Sequence, residues 1–134
     1  LELVRDWRHA GRVELSLDVS TRCWVGEREC EGTASFYHGP VLLAYDQRFN
    51  DLAPRKLPAF APHALHLRSG RPTGRPTPWS TWSAEAADGT IVTLCDFASA
   101  GVTGNLYRSW LPIAEAVDPV PFSRNNPSRT RPAG

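Results

Sequence analysis

Residues 79–97 read WSTWSAEAADGTIVTLCDF and predict a β-hairpin. Two strand-like runs, 79–86 and 90–97, flank the dipeptide Asp88-Gly89, which is a strong signal for a type I′ turn. A two-residue turn sets three pairs of side chains opposite each other on one face: Trp82 and Cys95, Ala84 and Thr93, Ala86 and Ile91. We expect this apolar face of the hairpin to be buried.

Further strands are predicted on the N-terminal side of this hairpin. Residues 12–19 alternate apolar and polar side chains without interruption, as a half-buried strand does. Residues 33–37 and 41–45 predict two more strands, and 41–45, which is apolar on both faces, is expected to be central. Residues 23–30 are compatible with a hairpin whose two-residue turn is Gly26-Glu27. Cys23 would then lie opposite Cys30.

The remaining chain predicts long connections and one more strand. Residues 47–78 are rich in Pro, Arg and Gly, contain one weak strand at 64–67, and predict a long excursion over the surface. A last strand is expected at 106–113. Strands separated by Gly and Pro, without a long amphipathic helix, favour an all-β fold, an antiparallel β-sandwich of jelly-roll-like arrangement.

Length and composition predict a single domain. A chain of 134 residues is long enough for one core, and we expect the β-sandwich domain to span residues 1–117. Residues 118–134 mix Pro, Ser, Asn and Arg with almost nothing to bury, which predicts a disordered tail. The sequence contains no methionine, so Leu1 is not an initiator and the chain is expected to be a piece of a longer protein.

Charge and hydropathy argue against two classes of partner. A formal net charge of +1 provides no positive field that would steer nucleic acid. No apolar run approaches the roughly 20 residues that cross a bilayer. We therefore expect neither a nucleic-acid partner nor a membrane partner.

The three cysteines are too scattered for a structural zinc site, whose ligands normally come in closely spaced pairs. In the predicted hairpin, Cys23 and Cys30 are close enough for a disulfide in an exported protein. The alternative is two reduced, half-buried thiols that face each other. Cys95 is interpreted as a small core residue.

No residue pattern predicts catalysis. His63 and His66 are three positions apart but have no acidic helper nearby, and Asp88 and Asp96 are expected to serve in a turn and at a strand end. The carboxylates left without an obvious partner are Asp18, Asp46 and Asp51. Paired carboxylates for glycosidic hydrolysis, a nucleophile elbow and phosphate-cradling glycine loops are all missing from the sequence. We expect no catalytic residue, no metal site and no cofactor.

Aromatic side chains are the remaining functional signal. Flat rings on a β-sheet suit stacking on sugar faces, and Trp79, Trp82 and Tyr107 are the candidate carbohydrate-binding residues. The alternative is that these rings fill the core or an interface. Trp79 and Trp82 are three positions apart and point to opposite faces of a regular strand. Trp79, beside Pro78 and the long connection, is predicted to be the exposed one.

Several of these segments, in their order along the chain, resemble a known family. Arg5-Asp6-Trp7, Gly11 and RVELSLD at 12–18 are followed by YHGPVLLAY at 37–45, VTLCDFASAG at 92–101 and YRSWLP at 107–112. This order is similar to the C-terminal β-sandwich region of β-L-arabinofuranosidase-type glycoside hydrolases, family 127 and its relatives. The likeness covers roughly residues 1–113.

The resemblance implies a missing partner, an N-terminal (α/α)6 catalytic barrel with a cysteine nucleophile and a cysteine-rich zinc site. The adjacent cysteine pair of that barrel has no counterpart here, so no catalytic or zinc residue is carried over. The resemblance implies an accessory, non-catalytic domain that supports the barrel and contributes to a cleft for a plant-type oligosaccharide. Export to the periplasm or the medium is likewise only implied by the family. The alternatives are a free-standing carbohydrate-binding module and a purely structural β-sandwich.

Overall fold

The computed structural model describes residues 12–115. The predicted tail at 118–134, the end of the predicted domain at 117, and the Arg5-Asp6-Trp7 and Gly11 motifs lie outside the described residues. Within the described part the regular elements are strands and short 3-10 helices, and the all-β class is confirmed. The sandwich arrangement itself stays a prediction.

The strands belong to one curled antiparallel sheet. They are β1 Thr21–Val25, β2 Thr33–His38, β3 Val41–Asp46, β4 Leu67–Gly70, β5 Thr81–Glu85, β6 Ile91–Asp96, β7 Tyr107–Arg108 and β8 Leu111–Pro112. Their order across the sheet is β1-β2-β3-β6-β5-β4, while β7 pairs with β3 and β8 with β2. The 3-10 helices are Arg28–Cys30, Gln47–Phe49, Pro54–Lys56 and Phe97–Ser99.

The strands predicted at 33–37 and 41–45 are confirmed as β2 and β3. β3 is central, as expected for a run that is apolar on both faces, because β2 and β7 pair along one edge and β6 along the other. Its four C-terminal residues are all buried. The end of this strand, at Asp46, is therefore a rigid point from which loops can be held.

The hairpin at 79–97 is present as β5 and β6, but its predicted register is wrong by one residue. The loop has three residues, not two: Gly89 N–H donates to the Ala86 carbonyl at 3.0 Å, and Ala86 N–H donates to the Thr90 carbonyl at 2.9 Å. Gly89 adopts a φ of +84°, the left-handed conformation that ends such loops. The extra loop residue places Trp82 opposite Leu94 and Ala84 opposite Val92. Ile91, expected in the core, is consequently 60% exposed.

Three other local predictions are also wrong. The hairpin at 23–30 does not form, because β1 pairs directly with β2 and Cys23 lies opposite Phe36. The weak strand at 64–67 is displaced to β4, Leu67–Gly70. The single strand at 106–113 is split into β7 and β8, which pair with different neighbours, β3 and β2.

Residues 12–19 do not form the predicted strand. No helix or strand is assigned there, and all of these residues are exposed. The register of β1 on β2 explains why. Gly39 N–H donates to the Ser20 carbonyl at 3.0 Å, and the next residue that could pair is Pro40, which has no N–H. The chain of β2 turns back at this point, so residues 12–19 have no strand beside them.

The connection at 47–78 is not a surface excursion, because it contributes side chains to the core. Leu57, Phe60 and Leu65 are buried in one cluster with residues of the sheet. The Phe60 ring lies 6.0 Å from the Phe36 ring, centroid to centroid. Among residues 12–115 the largest fully buried side chains are Tyr45, Phe36, Phe60, Leu43, Leu94, Leu111, Val92, Asp46 and Cys95. The Pro-rich connection therefore closes one side of the core.

Candidate functional site

Two buried aspartates anchor the loop that follows β6. Asp96, the last residue of β6, accepts hydrogen bonds from Ser99 N–H at 3.0 Å, from the Ser99 hydroxyl at 2.7 Å and from Ser80 N–H at 3.0 Å. The strand-end role predicted for Asp96 is thus confirmed. These bonds cap the 3-10 helix Phe97–Ser99 and attach it to the residue before β5.

Asp46 performs the same task from the end of β3. Its carboxylate accepts from Gly101 N–H at 2.8 Å, from Arg48 N–H at 2.8 Å and from Arg48 Nε at 3.1 Å. Arg48 in turn donates to the carbonyls of Ser99 at 2.7 Å and Pro76 at 3.2 Å. This buried ion pair joins three segments: the end of β3, the residues before β5 and the loop after β6.

The electrostatics of Asp46 follow from this set of donors. Burial opposes ionisation of the carboxyl, but the side-chain and backbone hydrogen bonds from Arg48 and the backbone bond from Gly101 outweigh it, so the pKa of Asp46 lies below its ordinary value. The Asp46 side chain is fully buried and that of Arg48 is 10% exposed. The pair is therefore a desolvated anchor that is charged near neutral pH.

Three exposed aromatic rings surround this anchored loop, and we call them the aromatic surface: Trp79, Phe97 and Tyr107. Their residues are 76%, 42% and 49% exposed, respectively. Phe97 and Tyr107 meet edge to face with centroids 6.0 Å apart. Trp79 N–H donates to the Ser99 hydroxyl at 3.2 Å, which attaches Trp79 to the 3-10 helix that begins at Phe97.

Gly101 lets the Tyr107 ring lie directly on the loop backbone. A Cβ at this position would come within 2.4 Å of Cδ1 of the ring, and the residue has a φ of +69°. Any other residue would have to displace the ring and accept a strained backbone. The position of Tyr107 is thus fixed by a close backbone contact as well as by the pairing of β7 with β3.

Two of the three predicted carbohydrate-binding residues lie at the surface and one is buried. Trp79 is exposed, as its position predicted, and Tyr107 belongs to the same surface. Trp82 is 7% exposed, and its ring packs in the core 5.4 Å from that of His38. Trp82 therefore offers no ring face at the surface. Phe97 was not predicted as a site residue because it was assigned to the strand at 90–97. An aspartate that ends the strand and caps the next turn, Asp96, is the sequence signal that could have identified it.

Cys23, Cys30 and Cys95 are free thiols in the structure. Cys30 ends the 3-10 helix Arg28–Cys30 and is half-buried, whereas Cys23 points into the core from β1. The strand pairing on which the predicted disulfide rested is absent. The interpretation of Cys95 as a core residue is confirmed, since its side chain is fully buried.

The thiols are expected to differ sharply in reactivity. Burial raises the pKa of Cys95 to about 12 and also raises the pKa of Cys23, so neither forms the reactive thiolate near neutral pH. Titration of the native protein with a thiol reagent should modify Cys30 rapidly and the other two only after denaturant is added. Rapid modification of all three in the native protein would contradict the burial of Cys23 and Cys95. Peptide mapping of the modified protein identifies the site.

A shallow groove lies beside β4 and β5, away from the aromatic surface. His66, Arg68, Ser83, Glu85 and Ile91 line this groove, which has a volume of about 300 Å³. This volume is at the lower limit of small-molecule sites, which are mostly apolar. The groove is lined mainly by polar and charged residues and contains no Trp, Tyr or Phe ring, so it serves below as the location of a control.

Other classes of site are not supported by the described residues. Among residues 12–115, no three His, Cys, Asp or Glu side chains are grouped so as to hold a metal ion. The same part of the chain has no helix with the length and hydropathy of a membrane span. Comparison of the sequence with protein-family models, and of the chain with curated proteins and solved structures, gives no significant match.

Proposed function

We propose that this chain is an accessory domain of a carbohydrate-active protein, similar to the β region of β-L-arabinofuranosidase-type glycoside hydrolases, and that it contacts a sugar chain through the aromatic surface. The observation that carries the proposal is the exposure of Trp79, Phe97 and Tyr107 around one anchored loop. Contiguous exposed apolar patches often mark binding sites. Here the Asp46–Arg48 ion pair and the hydrogen bonds of Asp96 hold the loop that begins at Phe97.

The chemistry of such a surface fits a sugar chain. The C–H faces of a pyranose or furanose pack on flat rings, while the indole N–H and the phenol hydroxyl can hydrogen-bond to sugar hydroxyls. Backbone carbonyls and side-chain hydroxyls in the loop at 99–106 add polar groups at the edge. The proposed occupant is a plant-type oligosaccharide, in the cleft formed with a catalytic barrel supplied by the rest of the protein.

Substitution of Trp79 tests the sugar-binding proposal. Trp79→Ala removes the most exposed ring and is expected to weaken binding of arabinan-type oligosaccharides by about tenfold or more, the usual loss for a central aromatic contact. Isothermal titration calorimetry with a panel of plant oligosaccharides measures the affinity, and quenching of tryptophan fluorescence on sugar addition is the second readout. Tyr107→Ala should act in the same direction.

Ile91→Ala is the matched control, because Ile91 is an exposed apolar residue that lines the polar groove. The Ile91→Ala variant should bind the oligosaccharides with the affinity of the unchanged protein. A loss of binding in Ile91→Ala with unchanged binding in Trp79→Ala would move the site to the groove. Flat titrations with the whole panel would contradict sugar binding by the isolated chain.

The reading frame upstream of the codon for Leu1 separates the accessory domain from a free-standing binding module. An in-frame helical domain with an adjacent cysteine pair supports the accessory function. A start codon or signal peptide immediately upstream favours the free-standing module, in which the same aromatic surface binds sugar without a barrel.

A further inference from the structure

Residues 12–19 carry an unusual row of exposed apolar side chains. Val13, Leu15, Leu17 and Val19 are 52%, 67%, 68% and 51% exposed, and polar residues occupy the positions between them. This alternation is that of a strand with one buried face, yet these residues pair with no strand in the described part of the chain. Four large apolar side chains in a row are a surface that favours a partner.

The geometry of β1 leaves the backbone of this segment available for pairing. β2 turns back at Gly39-Pro40, immediately beyond the bond between Gly39 N–H and the Ser20 carbonyl. β1 is an edge strand that pairs only with β2 among the described strands. Residues 12–19 thus precede an edge strand at a point where the sheet has ended. A strand from another molecule could pair with their free backbone groups.

We propose that residues 12–18 pair antiparallel with the same residues of a second copy of this chain, about a two-fold axis at Leu15. The register sets Leu15 opposite Leu15 and Val13 opposite Leu17 on one face. On the other face it sets Arg12 opposite Asp18 twice, once on each side of the axis. The segment is therefore complementary to itself in both apolar pattern and charge.

Neighbouring registers lack this complementarity. An axis at Ser16 puts Glu14 opposite Asp18, an axis at Leu17 puts Arg12 opposite Arg22, and an axis at Glu14 puts that residue opposite itself. Shifts by a single residue place apolar side chains opposite polar ones. The ion pairs that Arg12 and Asp18 make within the chain, with Glu14 at 3.9 Å and Arg22 at 3.3 Å, are exposed and compete weakly.

Sedimentation velocity of the full chain tests the association. A pair of short strands is smaller than a standard protein interface, so we expect a dimer whose fraction rises with protein concentration. Leu15→Lys should give a monomer at every concentration, because it places two like charges across the axis. Ile91→Lys, an exposed apolar residue of β6 outside the segment, should dimerise like the unchanged protein.

Charge exchange and cross-linking test the register. Arg12→Asp should weaken the dimer, and the pair Arg12→Asp with Asp18→Arg should restore it. In a Cys30→Ser background, Leu15→Cys should form a disulfide-linked dimer on oxidation, because residues facing each other in an antiparallel pair have Cα atoms about 4.5–5.5 Å apart. Val13→Cys alone should not.

Four results would overturn the proposal. A dimer that survives Leu15→Lys uses another surface, and a dimer cross-linked by Ser16→Cys but not by Leu15→Cys has another register. A chain that stays monomeric while residues 12–19 resist hydrogen exchange covers the segment with its own residues 1–11. A monomer in which residues 12–19 exchange freely leaves the segment unpaired and likewise contradicts pairing between two copies.

Discussion

Replacing Asp46 by alanine is expected to lower the free energy of unfolding by about 3–5 kcal/mol, the usual cost of removing one partner from a buried ion pair. The substitution leaves the Arg48 guanidinium charged, 10% exposed and without its carboxylate. It also removes the acceptor for Gly101 N–H, which is bound at 2.8 Å. Because small domains are stable by only about 5–15 kcal/mol, this loss is a large part of the total.

Urea denaturation followed by circular dichroism measures the effect. Asp51→Ala is the control, since Asp51 is an exposed carboxylate in the connection that follows β3 and should change the unfolding midpoint little. Asp46→Asn keeps the shape of the side chain and one acceptor oxygen, so its loss should be smaller than that of alanine. Equal midpoints for Asp46→Ala and Asp51→Ala would show that the ion pair does not stabilise the fold.

The same carboxylate predicts a pH dependence. The folded pKa of Asp46 lies below its unfolded value, so the folded state favours the ionised form. The contribution of ionised Asp46 to the free energy of unfolding is fully present above the unfolded pKa, at about pH 4. It is lost as the pH falls through the folded pKa. The stability difference between the unchanged protein and Asp46→Asn should therefore be constant near neutral pH and shrink in acid. A difference that grows in acid would contradict the assigned direction of the shift.

Local pattern was sufficient to predict the central strands and the hairpin, and the reason is physical. β3 is apolar on both faces because it lies between other strands, and that requirement is visible in residues 41–45 themselves. The β5–β6 hairpin is marked by Asp88-Gly89, because these two residue types favour the backbone conformations of a tight turn. The register was mispredicted because one additional loop residue, Ala87, shifts every pair without altering the pattern of either strand.

Features that depend on distant partners could not be predicted from local sequence. Alternation at 12–19 reports which side chains share a face but not whether a neighbouring strand exists. The site shows the same limit. Trp79 was correctly predicted to be exposed, whereas the role of Asp46 depends on Arg48 and on Gly101, which is far away in the chain. A strand-terminal aspartate with an arginine two positions later was the only local sign of that anchor.

Phe60→Ala is expected to cost about 3–5 kcal/mol of unfolding free energy, the range for truncation of a buried phenylalanine. Phe60 is fully buried against Phe36, although it lies in a connection whose composition predicted a surface path. Its backbone is also fixed, since its N–H donates to the Pro112 carbonyl at 2.8 Å and its carbonyl accepts from Ala114 N–H at 2.9 Å. The cavity left by the ring therefore cannot close by a simple shift of the chain.

Phe97→Ala provides the matched comparison, because it removes the same ring from a position that is 42% exposed. Denaturant unfolding should show a loss several times larger for Phe60→Ala, whereas Phe97→Ala should mainly affect the aromatic surface. Similar small losses for both variants would mean that the Pro-rich connection is only an outer loop. A large loss for Phe60→Ala alone is the expected result for a connection that belongs to the core. The burial of the Phe60 ring by distant strands, and not the local composition, determines how much the ring contributes to stability.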